Sequence, residues 1–144
     1  MPLPSSLDLQ VVDEPQRALT WKRTASAFFP GLSVHELRAN PTRGSICGTS
    51  LGTGQVWTIL SPPVQVSYRP RGRVDASAEM FSVMLQLQGS TIALQNGQSC
   101  RLRPRDLCLI DGYTPFELEV ADDFSHLMFL RLPRSMVLSR HPYL

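Results

Sequence analysis

The sequence contains three histidines, His35, His126 and His141, and their spacing does not match a metal site. A metal centre on adjacent strands typically uses two histidines one residue apart, a nearby glutamate and a later histidine, because its nitrogen and oxygen ligands must converge on one ion. No two histidines here are closer than 15 residues. We therefore expect no metal and no cofactor. His126 lies in a predicted strand, either as an ordinary hydrogen-bonded side chain or as part of a pocket.

The sequence also lacks the patterns of covalent and nucleotide chemistry. No two of Cys47, Cys100 and Cys108 have CxxC spacing, and the last two lie in predicted strands, where cysteine commonly acts as a small apolar residue. There is no nucleophile elbow and no P-loop. Gly52-Thr53-Gly54 is followed by Trp57 at the place of a third glycine, so it does not make a dinucleotide-binding loop. The sequence predicts no catalytic residues and a protein that is not an enzyme.

Length and charge restrict the protein to one soluble domain. A chain of 144 residues can bury a core of its own, and a net charge of +2 is too small for a dedicated nucleic-acid surface. An odd number of irregularly spaced cysteines indicates a reducing compartment. The N-terminus lacks the pattern of a signal peptide, and no apolar run is long enough to span a bilayer. We therefore expect a cytoplasmic protein without a membrane partner.

The first part of the chain combines an arm, a helix and short strands. Residues 1–12 contain two prolines and no periodicity, so we expect a flexible arm. Asp13-Glu14-Pro15 is a typical helix start, and apolar residues at helical spacing predict a helix over residues 14–28. The sequence after Gly31 predicts a short strand over Leu32–Leu37, and a loop over Asn40–Gly54 with one strand near Ser45–Ser50.

The second part of the chain predicts strands every eight to twelve residues, which indicates a barrel or sandwich over residues 55–132. Asn96-Gly97 predicts a type I′ hairpin turn, because both of its residues tolerate positive φ. Residues 71–79 are polar and predict a loop, and Arg134–Arg140 predicts a helical turn. The predicted strands are Val56–Leu60, Val64–Arg69, Phe81–Gln88, Thr91–Gln95, Gln98–Leu102, Leu107–Ile110, Phe116–Val120 and Phe124–Leu132.

Large side chains in these strands are the candidates for lining a pocket inside the barrel. Tyr68 shares a face with Val64 and Val66, and His126 shares one with Met128, by the two-residue period of a strand. Small-molecule pockets are mostly apolar with a few polar groups, which Tyr68 and His126 would supply. The six candidate ligand-binding residues are Trp57, Tyr68, Arg69, Phe81, His126 and Met128.

Two of these candidates have an alternative position. The strand around Trp57 is apolar on both faces, so its ring could instead pack under the N-terminal helix. Arg69 has the opposite parity to Tyr68 and would reach a ligand carboxylate only at the barrel mouth. A solvated loop is the simpler interpretation of the basic run formed by Arg69, Arg71 and Arg73.

The region Phe81–Pro142 resembles the cupin-like sensor domain of bacterial AraC-type transcription regulators, and residues 15–80 match more loosely. The resemblance rests on the order and spacing of Gly89, Asn96-Gly97, Pro104-Arg105-Asp106, Asp111, Pro115 and Leu132-Pro133-Arg134. It implies a mainly β, cupin-like β-barrel of jelly-roll type with an N-terminal helix and a short C-terminal helical turn. Arg105 stands where the family usually has glycine, so we expect either a type I turn or a mildly strained residue.

The resemblance also implies a function. We expect a sensor domain that binds a small-molecule effector and controls a helix-turn-helix domain absent from this chain. The chain itself should not bind DNA specifically. The partners to expect are the effector and a second copy in a homodimer. A standalone cupin-type enzyme and a dimerisation module with a vestigial pocket are the alternatives. A cavity of a few hundred cubic ångströms would favour the sensor, and a filled barrel the dimerisation module.

Overall fold

The computed structural model describes residues 5–37, 40–70 and 80–140, and these form two antiparallel sheets packed face to face. Two 3-10 turns, Leu9–Val11 and Glu14–Gln16, precede the first helix. The helices are α1 (Arg17–Phe28) and α2 (Arg134–Arg140). The strands are β1 (Ser5–Asp8), β2 (Leu32–Leu37), β3 (Ser45–Leu51), β4 (Gly54–Ser61), β5 (Val64–Tyr68), β6 (Met80–Gly89), β7 (Thr91–Gln95), β8 (Gln98–Leu102), β9 (Leu107–Asp111), β10 (Phe116–Val120) and β11 (Ser125–Pro133).

The first sheet has the strand order β1-β3-β4-β11-β6-β9, and the second has the order β2-β5-β10-β7-β8. Neighbouring strands are mostly distant in sequence, as in a jelly roll. The prediction of a mainly β fold with a helix at each end is confirmed. The predicted strands match the observed ones to within about two residues, because apolar alternation and turn residues mark both ends of each strand.

Two turns in the second half of the chain show how local sequence determines the backbone conformation. Asn96 and Gly97 both have positive φ, 55° and 73°, which confirms the type I′ hairpin between β7 and β8. Arg105 has φ 79°, and the Asp106 amide donates to the Arg103 carbonyl, as in a type II turn. The sequence left open a type I turn or a strained residue at position 105, and the structure has the strained residue.

The N-terminal residues differ from the flexible arm expected over residues 1–12. Ser5–Asp8 pairs antiparallel with β3, and Leu9 is fully buried against Trp21 and Ile46. Residues 1–4 lie outside the described part of the chain, as does the predicted loop 71–79. The error arose because a single edge strand of four residues has too few positions to show a period. The barrel also begins earlier than residue 55, since β1, β2 and β3 belong to its sheets.

The two sheets differ in the chemistry of their outer faces. The outer face of the second sheet carries polar side chains such as Gln65, Ser67, Glu117 and Glu119, as expected for a solvated sheet face. The outer face of the first sheet is apolar, and Leu107 and Leu109 are 65% and 43% exposed there. Within the described residues, α2 is the helix that contacts this side of the sheet, at β6 and β11.

Candidate functional site

A cavity of about 130 Å³ lies between the two sheets and beneath α1. Its wall is almost entirely apolar, with several aromatic rings. The residues lining it are Trp21, Ala25, Phe29, Leu32, Val34, Ile46, Ile59, Ser61, Val64, Val66, Tyr68, Ser82, Met84, Thr91, Ile110, Gly112, Phe116, Leu118, Val120, Leu127, Phe129 and Arg131. The cavity is smaller than the few hundred cubic ångströms expected for a drug-sized ligand, but the barrel is not filled by side chains.

Regular geometry brings these residues together. On α1, Trp21 and Ala25 are four residues apart and therefore share one face of the helix, and Phe29 follows directly after the last helical residue. On β11, alternate residues Leu127, Phe129 and Arg131 point inward. The helix thus forms one wall of the cavity, and the two sheets form the others.

One end of the cavity is polar and carries a charge. Arg131 pairs with Ser82 across β11 and β6, and Ser82 pairs with Ile110 on β9. Two residues beyond Ile110, the Gly112 carbonyl accepts a hydrogen bond from the Tyr68 hydroxyl at 3.1 Å. Strand register therefore places Arg131, Ser82 and Tyr68 at the same end of the cavity, on three different strands.

The Arg131 guanidinium is held against the wall by neighbouring side chains. Its side chain is buried, with 9% of its surface exposed. One terminal nitrogen donates to Gln55 Oε1 at 3.3 Å, and the Trp57 indole nitrogen donates to the same oxygen at 2.9 Å. The guanidinium carbon also lies 6.0 Å from the centre of the Phe29 ring, a cation–π arrangement.

The opposite end of the cavity is polar but uncharged. The Ser125 hydroxyl lies 2.6 Å from the Thr91 hydroxyl and accepts from Gln86 Nε2 at 2.8 Å. The Ser61 hydroxyl donates to the Pro62 carbonyl at 2.9 Å. Gln86 Oε1 is buried, and no described residue donates a hydrogen bond to it. These groups satisfy mainly one another.

Of the six candidate residues, Tyr68 lines the cavity. Its ring stacks on Phe116, with the ring centres 4.9 Å apart. Trp57 is buried instead in a cluster with Leu9 and Trp21, which is the alternative position under the helix. It contacts the cavity indirectly, through the ring of Phe129.

The structure places the other four candidates outside the cavity. His126 and Met128 lie on the outer face of β11, because the interior parity of that strand is that of Leu127. Phe81 lies on the outer face of β6 and packs under the Arg134 guanidinium at 4.5 Å. Arg69 is exposed after β5, where its amide donates to the Gly31 carbonyl. The expected inward orientation of Phe81, His126 and Met128 is therefore wrong, because β11 carries apolar residues on both faces and the more apolar face of β6 is its outer one.

Sequence reasoning missed Arg131, Phe29 and Phe116. A signal for Arg131 was present, because it is a lone charge in the long apolar run of β11. Buried charges are rare and usually functional or paired. Phe29 had no such signal, since it follows the last helical residue and enters the cavity only through the helix-to-strand turn.

The described residues offer no group of three histidine, cysteine, aspartate or glutamate side chains close enough to bind a metal. Burial, and then the neighbouring Cys100, raises the pKa of the Cys108 thiol, which lowers the fraction of reactive thiolate. In the described segments, no helix is long and apolar enough to cross a membrane.

A sequence profile of the AraC-binding-like domain matches residues 21–142. The chain belongs to this family. The match extends over most of α1, the cavity and both sheets apart from β1. No curated protein matches the sequence of this chain. Membership of the AraC-binding-like family supports a regulatory ligand-binding domain.

Solved structures show the fold of this AraC-binding-like domain. The AraC-like transcriptional activator CuxR is similar over 96% of this chain and 50% of that chain, with 13% identity and a TM-score of 0.75. The Schizosaccharomyces pombe Cnp3 cupin domain is similar over 78% and 77%, with 8% identity and a TM-score of 0.53. KdgF from Halomonas sp. is similar over 73% and 81%, with 14% identity and a TM-score of 0.51. The cupin-like fold is confirmed, and the chain spans half the length of CuxR.

Proposed function

We propose that this domain binds a small-molecule effector in the cavity between its sheets and thereby controls a DNA-binding domain of a longer regulator. The observation that carries the proposal is the cavity itself, which is lined by apolar and aromatic side chains from both sheets and from α1. Pockets of this composition are typical of small-molecule sites. Tyr68, the candidate residue that lines the cavity, would contact the effector through its ring.

The signal would leave the cavity through α1 and the N-terminal residues. Trp21 lines the cavity, and both Trp21 and Leu9 pack on the backbone of Gly44. The Leu9 amide also donates to the Gly44 carbonyl at 2.9 Å. An effector that displaces Trp21 would therefore change the packing of Leu9 and the attachment of β1. Binding one arrangement more tightly than the other shifts the population between them.

A second copy of the domain is the partner that would cover the apolar outer face of the first sheet. On β6 the interior residues Ser82 and Gln86 are polar, whereas Val83 and Leu85 face outward, the reverse of the pattern of an isolated barrel. The apolar residues of this face are Val56, Leu60, Phe81, Val83, Leu85, Leu87, Leu107, Leu109, Met128, Leu130 and Leu132.

The size and charge of this face fit a two-fold dimer. At about 33 Å² per outward residue the apolar face covers about 350 Å², enough for the core of an interface that buries about 800 Å² per partner. On this face Asp111 of β9 is paired with Arg134, which compensates its charge, so two identical faces can meet without strong repulsion between carboxylates.

A ligand screen by thermal unfolding tests the effector proposal. A ligand at about 100 times its Kd stabilises the folded state by about 2.7 kcal/mol, which raises the Tm of a domain of this size by about 5–10 °C. The screen would use small aromatic acids, sugars and amino-acid derivatives. Val66→Phe would fill the cavity, and Gln65→Phe would place the same ring on the outer face of the same strand.

We expect at least one compound to raise the Tm of the wild-type protein and of Gln65→Phe but not that of Val66→Phe. Equal shifts in all three proteins would place binding outside the cavity and contradict the proposal. Turnover of the compound would instead favour the alternative of a cupin-type enzyme.

A further inference from the structure

We infer that the effector is an uncharged molecule with a body about the size of one aromatic ring and no ionised group. The inference rests on the proposed function, since it assigns the chemical class of the molecule in the same cavity. Two properties of the described residues carry it: the bonding of the polar groups in the cavity wall, and the volume between them.

The polar groups at the charged end of the cavity are already engaged by the protein. The Tyr68 hydroxyl donates its proton to the Gly112 carbonyl at 3.1 Å. The buried Arg131 guanidinium donates to Gln55 Oε1 at 3.3 Å and lies over the Phe29 ring, and both Arg131 and Tyr68 make further interactions. A carboxylate would have to displace such contacts and lose its own hydration as well. An ammonium group would lose its hydration and meet the positive charge of Arg131.

The polar groups at the opposite end bond to one another and to the backbone. The Thr91 and Ser125 hydroxyls lie 2.6 Å apart, and Ser125 also accepts from Gln86 Nε2 at 2.8 Å. The Ser61 hydroxyl donates to the Pro62 carbonyl at 2.9 Å. A ligand rich in polar groups, such as a sugar, would have to break these bonds to satisfy its own. This end of the cavity therefore also favours a ligand with few polar groups.

Ser82 carries the remaining hydroxyl among the described residues that line the cavity. A neutral hydroxyl can form a hydrogen bond with a small polar substituent on a ring, such as a hydroxyl or nitro group. It cannot compensate the lost hydration of a full charge, because an ion that leaves water needs an opposite charge and several hydrogen bonds. The wall therefore suits an uncharged ligand with at most a small polar substituent.

The volume of the cavity limits the body of this ligand. A buried apolar cavity of about 150 Å³ is known to accommodate benzene. The cavity here, at about 130 Å³, is close to that size. The rings of Phe29, Phe116 and Phe129 line it, and aromatic side chains favour a flat ring through edge and offset-stacked contacts. Leu118 and Leu127 lie between the polar ends, so the ring would occupy the apolar middle.

Nitrobenzene and benzoate are the matched probes, because they have the same shape and differ in charge. Toluene tests the ring without a polar group, and benzylammonium tests the opposite charge. Binding would be measured near neutral pH by chemical shift perturbation and by thermal unfolding of the whole chain. Val66→Phe, which fills the cavity, and Gln65→Phe, its control on the outer face, report whether a probe binds inside.

We expect the wild-type domain and Gln65→Phe to bind nitrobenzene and toluene at least about tenfold more tightly than benzoate or benzylammonium, because only the ions must give up strong hydration. Val66→Phe should lose the binding of both uncharged probes, since its added ring occupies their space. The Tm of each variant without ligand shows whether it is folded.

The size limit has its own test. Leu118→Ala enlarges the apolar middle of the cavity, and Leu94→Ala makes the same change at an exposed residue on the second sheet. Propylbenzene is longer than toluene by two methylene groups, so it should bind Leu118→Ala at least about tenfold more tightly than the wild type or Leu94→Ala. Wild-type protein that binds propylbenzene as tightly as Leu118→Ala does would contradict the size limit.

Three other results would overturn the inference. Binding of benzoate as tight as that of nitrobenzene, and lost in Val66→Phe, would show that the cavity accepts an anion and would leave the sensing proposal standing. Binding of the uncharged probes that survives Val66→Phe would place them outside the cavity. If no probe binds but the broader ligand screen finds a cavity ligand of another class, this inference fails alone. If that screen also finds none, the proposed function fails with it.

Discussion

The contact between Gly48 and Trp57 gives the sharpest test of the packing beneath the helix. Gly48 on β3 pairs directly with Trp57 on β4, and the indole ring lies flat over the glycine backbone. A Cβ at residue 48 would stand 2.5, 2.6 and 2.7 Å from three atoms of that ring. Ordinary carbon contacts are about 3.5–4.0 Å, so Gly48→Ala requires the ring to move by about 1 Å.

The indole ring has little room to make this movement. It packs against Phe28 and Phe29, with ring centres 5.7 and 4.6 Å away, and its nitrogen is hydrogen-bonded to Gln55. Overpacking of a well-filled core costs about 1–3 kcal/mol. We expect Gly48→Ala to lower the free energy of unfolding by about 2 kcal/mol, and the Tm by about 4–8 °C for a domain of this length.

A double-mutant cycle isolates this contact. Unfolding in urea would be measured for the wild-type protein, Gly48→Ala, Trp57→Leu and the double variant. Without the indole ring, alanine at residue 48 should have almost no effect, giving a coupling energy of about 2 kcal/mol. A wild-type-like stability of Gly48→Ala, or an equal cost of alanine in the Trp57→Leu background, would refute the reasoning.

Three further predictions concern a turn, a thiol and the outer face. Arg105→Gly should stabilise the domain by about 0.5–1 kcal/mol relative to Arg105→Ala in urea unfolding, because φ of 79° strains residues with a Cβ; equal stabilities would contradict this. With the pKa of the Cys108 thiol raised by burial, a maleimide should label Cys108 more slowly than exposed Cys47 and need a higher pH, as mass spectrometry would show; equal rates would count against it. Leu109→Glu should raise the dissociation constant of a homodimer at least about tenfold in sedimentation equilibrium, whereas Leu94→Glu on the second sheet should not; a wild-type protein that stays monomeric at high micromolar concentration would refute the dimer.

The sequence was sufficient for the elements and for several turns. The strand Phe116–Val120 was predicted with its observed bounds, because apolar and polar residues alternate cleanly between a turn at Pro115 and another at Asp122. Asn96-Gly97 specified its hairpin for a similarly local reason, since few residue pairs tolerate two positive φ values. These features depend on residues close together in the chain, so a short stretch of sequence is sufficient to predict them.

The sequence could not decide which side of a strand faces the cavity when both sides are apolar. On β5 the polar residues Gln65 and Ser67 marked the outside, so Tyr68 was correctly expected to face inward. On β11 both Leu127 and Met128 are suitable core residues, and the choice of Met128 for the interior was wrong.

The tertiary structure also decided which distant residues share the cavity. Arg131, Ser82 and Tyr68 meet because β11 pairs with β6 in one sheet while β5 lies in the other. A strand alternates with a period of two, so the sequence determines which residues lie on the same side. The side that becomes the interior depends on the register of pairing and on the packing of the opposite sheet. Both are contacts between residues far apart in the chain.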